Sequence, residues 1–156
     1  MPYSEPTNLA IIACPGGEVF ANEVIAHLRH MYKHRFNLKR DVISKRYEVE
    51  KEALIKDINY YNDLQTSDLC VKGSVANYRP PEFKVNCEFT YFMNGEFKTE
   101  IKDCIRGKDV FIFQDVENHQ VISLNGGKNK LALSVNDHLM SLIVSIDLYT
   151  NSVANL

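Results

Sequence analysis

Long apolar runs are missing from this sequence. The longest, Leu9 to Cys14 and Val110 to Phe113, fall far short of the roughly 20 residues a membrane-spanning helix needs. The opening residues, Met1-Pro2-Tyr3-Ser4-Glu5-Pro6, have neither the basic stretch nor the apolar core of a secretory signal, so a cytoplasmic protein is expected. There are only 4 cysteines, Cys14, Cys70, Cys87 and Cys104, and no pair is spaced C-x-x-C. That argues against a zinc ribbon and for free thiols. Glycine and proline are sparse, 7 and 5 among 156 residues, which counts against collagen, disorder and low complexity. Neither charge is in excess: 18 Lys and Arg face 20 Asp and Glu, a formal net charge of -2. The chain as a whole is therefore no polycation built to neutralise nucleic-acid phosphates.

What is present suits a single globular α/β domain. A chain of this length buries roughly 68–70% of the surface its unfolded form exposes. Leu9 to Ala13 reads as a short strand, Cys14-Pro15-Gly16-Gly17 as a turn, and Phe20, Val24, Ile25, Leu28 and Met31 as the apolar face of a helix. A second helix is expected from about Ser44 to Leu64, and Arg79-Pro80-Pro81 breaks the chain after it. Two β-like runs, Phe83 to Phe92 and Glu96 to Ile101, flank Met93-Asn94-Gly95, where Asn-Gly signals a hairpin. Arg106-Gly107-Lys108-Asp109 is a polar turn. Val110 to Phe113 then has the continuous apolar character of a buried parallel strand. Residues 115–134 read as an exposed loop or an extra hairpin. A last helix starts near Asn136 or Asp137, either of which can cap it, with Leu139, Leu142, Ile143 and Ile146 as its apolar face.

Local chemistry is modest. Cys14-Pro15-Gly16-Gly17 stands between a strand and a helix, where anions can bind. It lacks the G-x-G-x-x-G and G-x-x-x-x-G-K-[ST] spacings, and so does Gly126-Gly127-Lys128. His27, His30 and His34 lie near one helix face, and their neighbours Arg29, Lys33 and Arg35 would repel a metal cation. Arg29 to Arg46 holds seven basic residues and one acid, Asp41, and an acidic stretch follows it. Adjacent blocks of opposite sign point to helices that pair with each other or with a neighbouring subunit; nucleic acid is the weaker reading, and Tyr32 and Phe36 read as core contacts.

Two segments carry more. One runs Phe92-Met93-Asn94-Gly95-Glu96 through Cys104-Ile105 into Arg106-Gly107-Lys108-Asp109-Val110-Phe111-Ile112-Phe113-Gln114. The other runs Val135-Asn136-Asp137-His138-Leu139-Met140 to Ile146-Asp147. Together they resemble the N-terminal half of ribose-phosphate pyrophosphokinase, or phosphoribosyl pyrophosphate synthetase, with its F-x-[DN]-x-E, R-G-x-D-V-[FY]-[IV]-x-Q and [VI]-N-D-x-L-M patterns. The resemblance implies a transferase of nucleotide biosynthesis that moves diphosphate from magnesium-bound ATP to ribose 5-phosphate. It implies a three-layer α/β domain of the type I phosphoribosyltransferase kind, with a mainly parallel sheet, a protruding β-hairpin and an inserted helical segment. It also implies a homo-oligomer. In such a protein Phe92 would stack on adenine, Asn94 and Glu96 would hydrogen-bond it, and Arg106 would serve a regulatory phosphate site, its alternative being a turn residue.

This sequence departs from the pattern in several places. Cys104 stands where the family has serine, and Asp115, also often serine, would repel phosphate. Residues of about 35–82 and 115–134 read as insertions. The chain stops at Asn155-Leu156, before the family's metal-binding His and Asp, its catalytic Lys/Arg loop and its ribose-phosphate loop. The expectation is therefore an N-terminal domain (1–156) without the C-terminal domain, with no catalytic residue or metal ligand of its own and inactive alone. The alternative is a non-catalytic, synthetase-like binding or assembly module.

Overall fold

The computed structural model describes residues 9–48, 50–51 and 81–154. The chain divides into two compact units, one of Asn8–Ile25 with Phe83–Leu156, the other of Met1–Thr7 with Ala26–Glu82.

The first unit is built on β1 (Leu9–Ala13), buried from Ala10 onward on both faces, as its apolar run predicts. It pairs in parallel with β4 (Asp109–Phe113), from Leu9 opposite Asp109 to Ala13 opposite Phe113. On its other edge Ile11 exchanges hydrogen bonds with the stretch around Lys84: its N–H donates to the Phe83 carbonyl at 2.7 Å, and the Val85 N–H donates back at 2.8 Å. Ala10 and Ile12 pack with Val85 and Ile105 in one apolar cluster, joined by Val110, Ile112 and Tyr149. β4 differs from its expected buried state. Among the described strands it has a neighbour on one side only, and Phe111 is 55% exposed.

The two other strand pairs are antiparallel hairpins. β2 (Cys87–Tyr91) pairs with β3 (Phe97–Ile101), and β5 (Val121–Leu124) pairs with β6 (Asn129–Ala132). Residues 115–134 thus contain a real hairpin, with Ile122, Leu124 and Leu133 buried against Phe89, Tyr91, Phe97 and Leu131. The described sheet content is one parallel pair and two antiparallel pairs, a mixed α/β domain.

The helices correct two expectations. α2 (Val135–Ala154) is capped by Ser134, neither by Asn136 nor by Asp137. The Ser134 hydroxyl and N–H donate to the Asp137 carboxylate at 2.7 and 2.9 Å, and the Asp137 N–H lies 3.3 Å from the Ser134 hydroxyl, a reciprocal capping box. Its buried face is His138, Ser141 and Ser145, whereas Leu139, Ile143 and Ile146 are exposed. The helix lies against β3, where Ser145 meets Thr99 at 3.5 Å. Small side chains allow that close approach, and the bulkier apolar face turns outward.

α1 (Glu18–Tyr47) is far longer than the first predicted helix and absorbs the start of the second. It ends where Glu48 turns the chain at φ 54°, a left-handed helix stop. Its acid in the first turn and its Lys45 and Arg46 in the last both suit the helix dipole. In its first turns Ala21 and Ile25 are buried, while Phe20, expected on the core face, is 57% exposed.

In the second unit the rest of α1 buries Phe36 and Ile43 and leaves Met31 exposed. Arg29 pairs with Glu82 at 2.7 Å and Asp41 with Lys51 at 2.6 Å. The Arg35 guanidinium stands 5.8 Å over the Tyr32 ring. Phe36 is thus a core residue, as expected. Residues 52–64 of the predicted second helix, and Cys70, lie outside the described residues. Among the described residues no helix is long and apolar enough to cross a membrane.

Candidate functional site

The hairpin between β2 and β3 ends in a closed three-residue loop. The Phe92 N–H donates to the Glu96 carbonyl at 2.9 Å, and the Gly95 N–H to the Phe92 carbonyl at 2.9 Å. Gly95 takes φ 86°, which a side chain would resist, while Asn94 stays at negative φ. The turn is therefore a three-residue loop with glycine in the left-handed position, and not the two-residue form that Asn-Gly favours. Asn94 stiffens it: its side-chain oxygen accepts the Glu96 N–H at 3.2 Å. Phe92, Met93, Asn94 and Glu96 are all exposed, Phe92 at 44%. Beneath the tip the Tyr91 and Phe97 rings meet edge to face, centroids 5.2 Å apart. The three residues predicted to touch a base therefore sit together on a tightly bonded loop.

Arg106 is not part of that cluster. β3 runs between the hairpin tip and Arg106, a strand length of about 14 Å. Arg106 lies on the turn closed by the Lys108 N–H and the Ile105 carbonyl, with Gly107 at φ 71°. It lines an open groove of about 660 Å³ with Lys98, Glu100, Lys102, Asp103 and Cys104. Lys98 and Lys102 both pair with Glu100, whose carboxyl they hold down at about 2, and Lys102 also reaches Glu88 at 3.1 Å. Asp103 accepts the Asn86 N–H at 2.6 Å. Among the described residues, no ion pair involves Arg106. Asp115, expected to repel a phosphate there, stands at the far end of β4 from Arg106 and accepts the Glu117 N–H at 3.2 Å.

The Cys14-Pro15-Gly16-Gly17 turn is filled by the protein itself. The Glu18 carboxylate accepts the Gly16 N–H at 2.7 Å, where an incoming anion would have to bind. Asn118 donates to the Gly16 carbonyl at 3.0 Å, and Gln114 to the Pro15 carbonyl at 2.9 Å. His138, wholly buried, completes the set: its Nε2 lies 2.9 Å from the Asn118 carbonyl and its Nδ1 2.8 Å from the Gln114 amide nitrogen. The Asn118 carbonyl calls for a donor at Nε2, while Nδ1 faces both the Gln114 amide nitrogen and, at 3.2 Å, the Pro15 carbonyl. Ser141 adds a bond to the Gln114 oxygen at 3.0 Å. This buried polar cluster escapes sequence reading, because the polar residues of α2 pass there for its solvent face.

Burial bears on two of the thiols, Cys14 and Cys87. Burial pushes Cys14 up to about 11, with the Ser145 hydroxyl acting the other way, and burial with the neighbouring Cys14 does the same to Cys87. Cys104 is exposed. His27, His30 and His34 are exposed on α1. Among the described residues no three His, Cys, Asp or Glu side chains gather as a metal site.

A family model described as the N-terminal domain of ribose phosphate pyrophosphokinase matches residues 75–155, just over half of the chain. No curated protein and no solved structure matches it.

Proposed function

The chain belongs to the family of ribose phosphate pyrophosphokinase N-terminal domains, and from that premise we propose that its β2–β3 hairpin tip is an adenine contact of a ribose-phosphate diphosphokinase. The enzyme would transfer the β,γ-diphosphoryl group of magnesium-bound ATP to the 1-hydroxyl of ribose 5-phosphate, yielding phosphoribosyl pyrophosphate and AMP. The observation that carries this reading is the grouping of Phe92, Asn94 and Glu96 on one closed, exposed loop.

Each residue suits a purine. An aromatic face stacked on a base contributes about 1–3 kcal/mol. The Glu96 carboxylate accepts from the exocyclic amine of adenine and repels the carbonyl that guanine carries at the same position. The Asn94 oxygen is engaged with the backbone, which leaves its NH2 group to address a ring nitrogen. A rigid hairpin tip presents these groups without ordering a loop.

In this reading the chain acts in a homo-oligomer of the type I phosphoribosyltransferase kind, with the hairpin reaching a neighbouring subunit's nucleotide. Arg106 is its anion contact, held in a groove whose lysines are already paired. The diphosphoryl transfer depends on cations and metal at the phosphates, groups that come from outside the described residues.

The test is nucleotide titration of the 156-residue chain followed by NMR. ATP is expected to shift the amides of 92–96 and to bind more tightly than GTP. Phe92→Ala should weaken ATP about tenfold, or about 1.4 kcal/mol, and Glu96→Gln should narrow the preference for ATP over GTP. Equal binding of the two nucleotides, or shifts that bypass 92–96, would overturn the reading.

A further inference from the structure

We propose that Asn125, on the β5–β6 hairpin, is a positioning residue that fixes the direction in which Phe92 is presented; the proposal rests on the adenine reading of the β2–β3 tip and deepens it.

Phe92 pairs with Glu96 across its hairpin, so the N–H and C=O of the preceding residue, Tyr91, point away from β3. That outer edge would face water, but Asn125 occupies it. Its side-chain oxygen accepts the Tyr91 N–H at 2.8 Å, and its Nδ2 donates to the Tyr91 carbonyl at 3.1 Å. Its own N–H donates to the carbonyl of Phe89, two residues back and therefore on the same edge, at 3.2 Å. One residue thus takes three successive outward groups of β2, as a paired strand would. It can do so because it adopts φ 55°, a conformation asparagine tolerates, at the start of the Asn125-Gly126-Gly127 turn.

The brace is apolar as well as polar. Ile122, Leu124 and Leu133 are buried against Phe89, Tyr91 and Phe97. The Tyr91 ring is held by Phe97 and its backbone by Asn125, and the next residue is Phe92. The Tyr91–Phe92 peptide is therefore bonded on both edges, outward to Asn125 and inward to Glu96. Residues 115–134, an insertion by sequence, acquire a purpose: they set the aromatic face beforehand so that binding need not order it.

Asn125→Gly removes the amide while glycine accepts φ 55°, and the backbone bond to Phe89 can persist. Hydrogen exchange of the full chain is expected to accelerate at least tenfold at Tyr91, and with it at Phe92 and Gly95, while Ile11 and Val85 in the parallel sheet keep their protection. ATP affinity should fall about tenfold with circular dichroism unchanged. If Tyr91 alone loosens, with Phe92, Gly95 and ATP affinity unchanged, Asn125 is an edge cap and the proposal fails. If the wild-type chain does not bind ATP, the adenine reading falls. Exchange at Phe92 and Gly95 then still decides whether Asn125 holds the tip.

Discussion

Two adjacent glycines show how differently the same residue type can be required. Gly16 takes φ 93° and is needed for its backbone. Gly17 has no such φ; a Cβ there would stand 2.6 Å from the Phe113 carbonyl oxygen. That carbonyl accepts the Cys14 N–H at 2.9 Å, so it cannot move without breaking the bond that carries β1 into its turn. Gly17→Ala should therefore destabilise the chain by about 1–3 kcal/mol, the usual cost of overpacking, measured as a lower denaturation midpoint in urea. The sequence already marked this spot as a turn. The close approach to Phe113, 96 positions away, was not legible, because nothing in a local pattern says which strand will lie alongside.

Among the elements, α2 is the most instructive. Periodicity places Leu139, Leu142, Ile143 and Ile146 on one face, and that face exists, but it is not the one that docks. Its serines reach the sheet instead, with the Ser145 hydroxyl donating to the Ser141 carbonyl at 2.7 Å and lying 3.6 Å from the Cys14 sulfur. The start of the helix is equally specific. Ser134→Ala should cost about 1 kcal/mol of stability, as loss of a cap does, whereas Asn136→Ala should leave the melting temperature nearly unchanged. Thermal unfolding of the two variants side by side checks which residue is the cap. The β2–β3 hairpin was easier to read, since Asn94 and Gly95 announce it. The three-residue form of its loop depends on how the flanking strands pair and so emerged only with the register.

Taken as one molecule, the chain conceals its charge in local pairs. The net of -2 averages a basic stretch on α1, in which Arg29 pairs with Glu82 and the one acid, Asp41, pairs with Lys51 beyond it, with a cluster on the β2–β3 hairpin. In that cluster Lys102 and Lys98 hold Glu100 down from its usual 4.5 to about 2. The hydrogen bond from Lys51 lowers Asp41 too. A carboxyl whose pKa is lower in the folded chain binds fewer protons there than when unfolded. Its stabilisation is complete above its unfolded value and is lost as pH falls through its folded one. For Glu100 that window runs from about 4.5 down to about 2. Unfolding midpoints followed across it should fall, less steeply for Glu100→Gln and less steeply in high salt, because these groups are exposed and screened.

The order of the elements, the glycine turn after the first strand, the hairpin and the family were all written in short stretches of chain. They depend on spacing, on turn residues and on motifs that neighbours in sequence carry together. Long-range partners were not. The buried side of α2, the merging of two expected helices into α1, the Glu18 carboxylate in the anion position and the hold of Asn125 on Tyr91 each join residues through packing or backbone geometry that periodicity does not contain. A hydrophobic pattern states which side chains would gain from burial. Which of them are buried depends on how closely two surfaces can approach and on which backbone groups still need a partner.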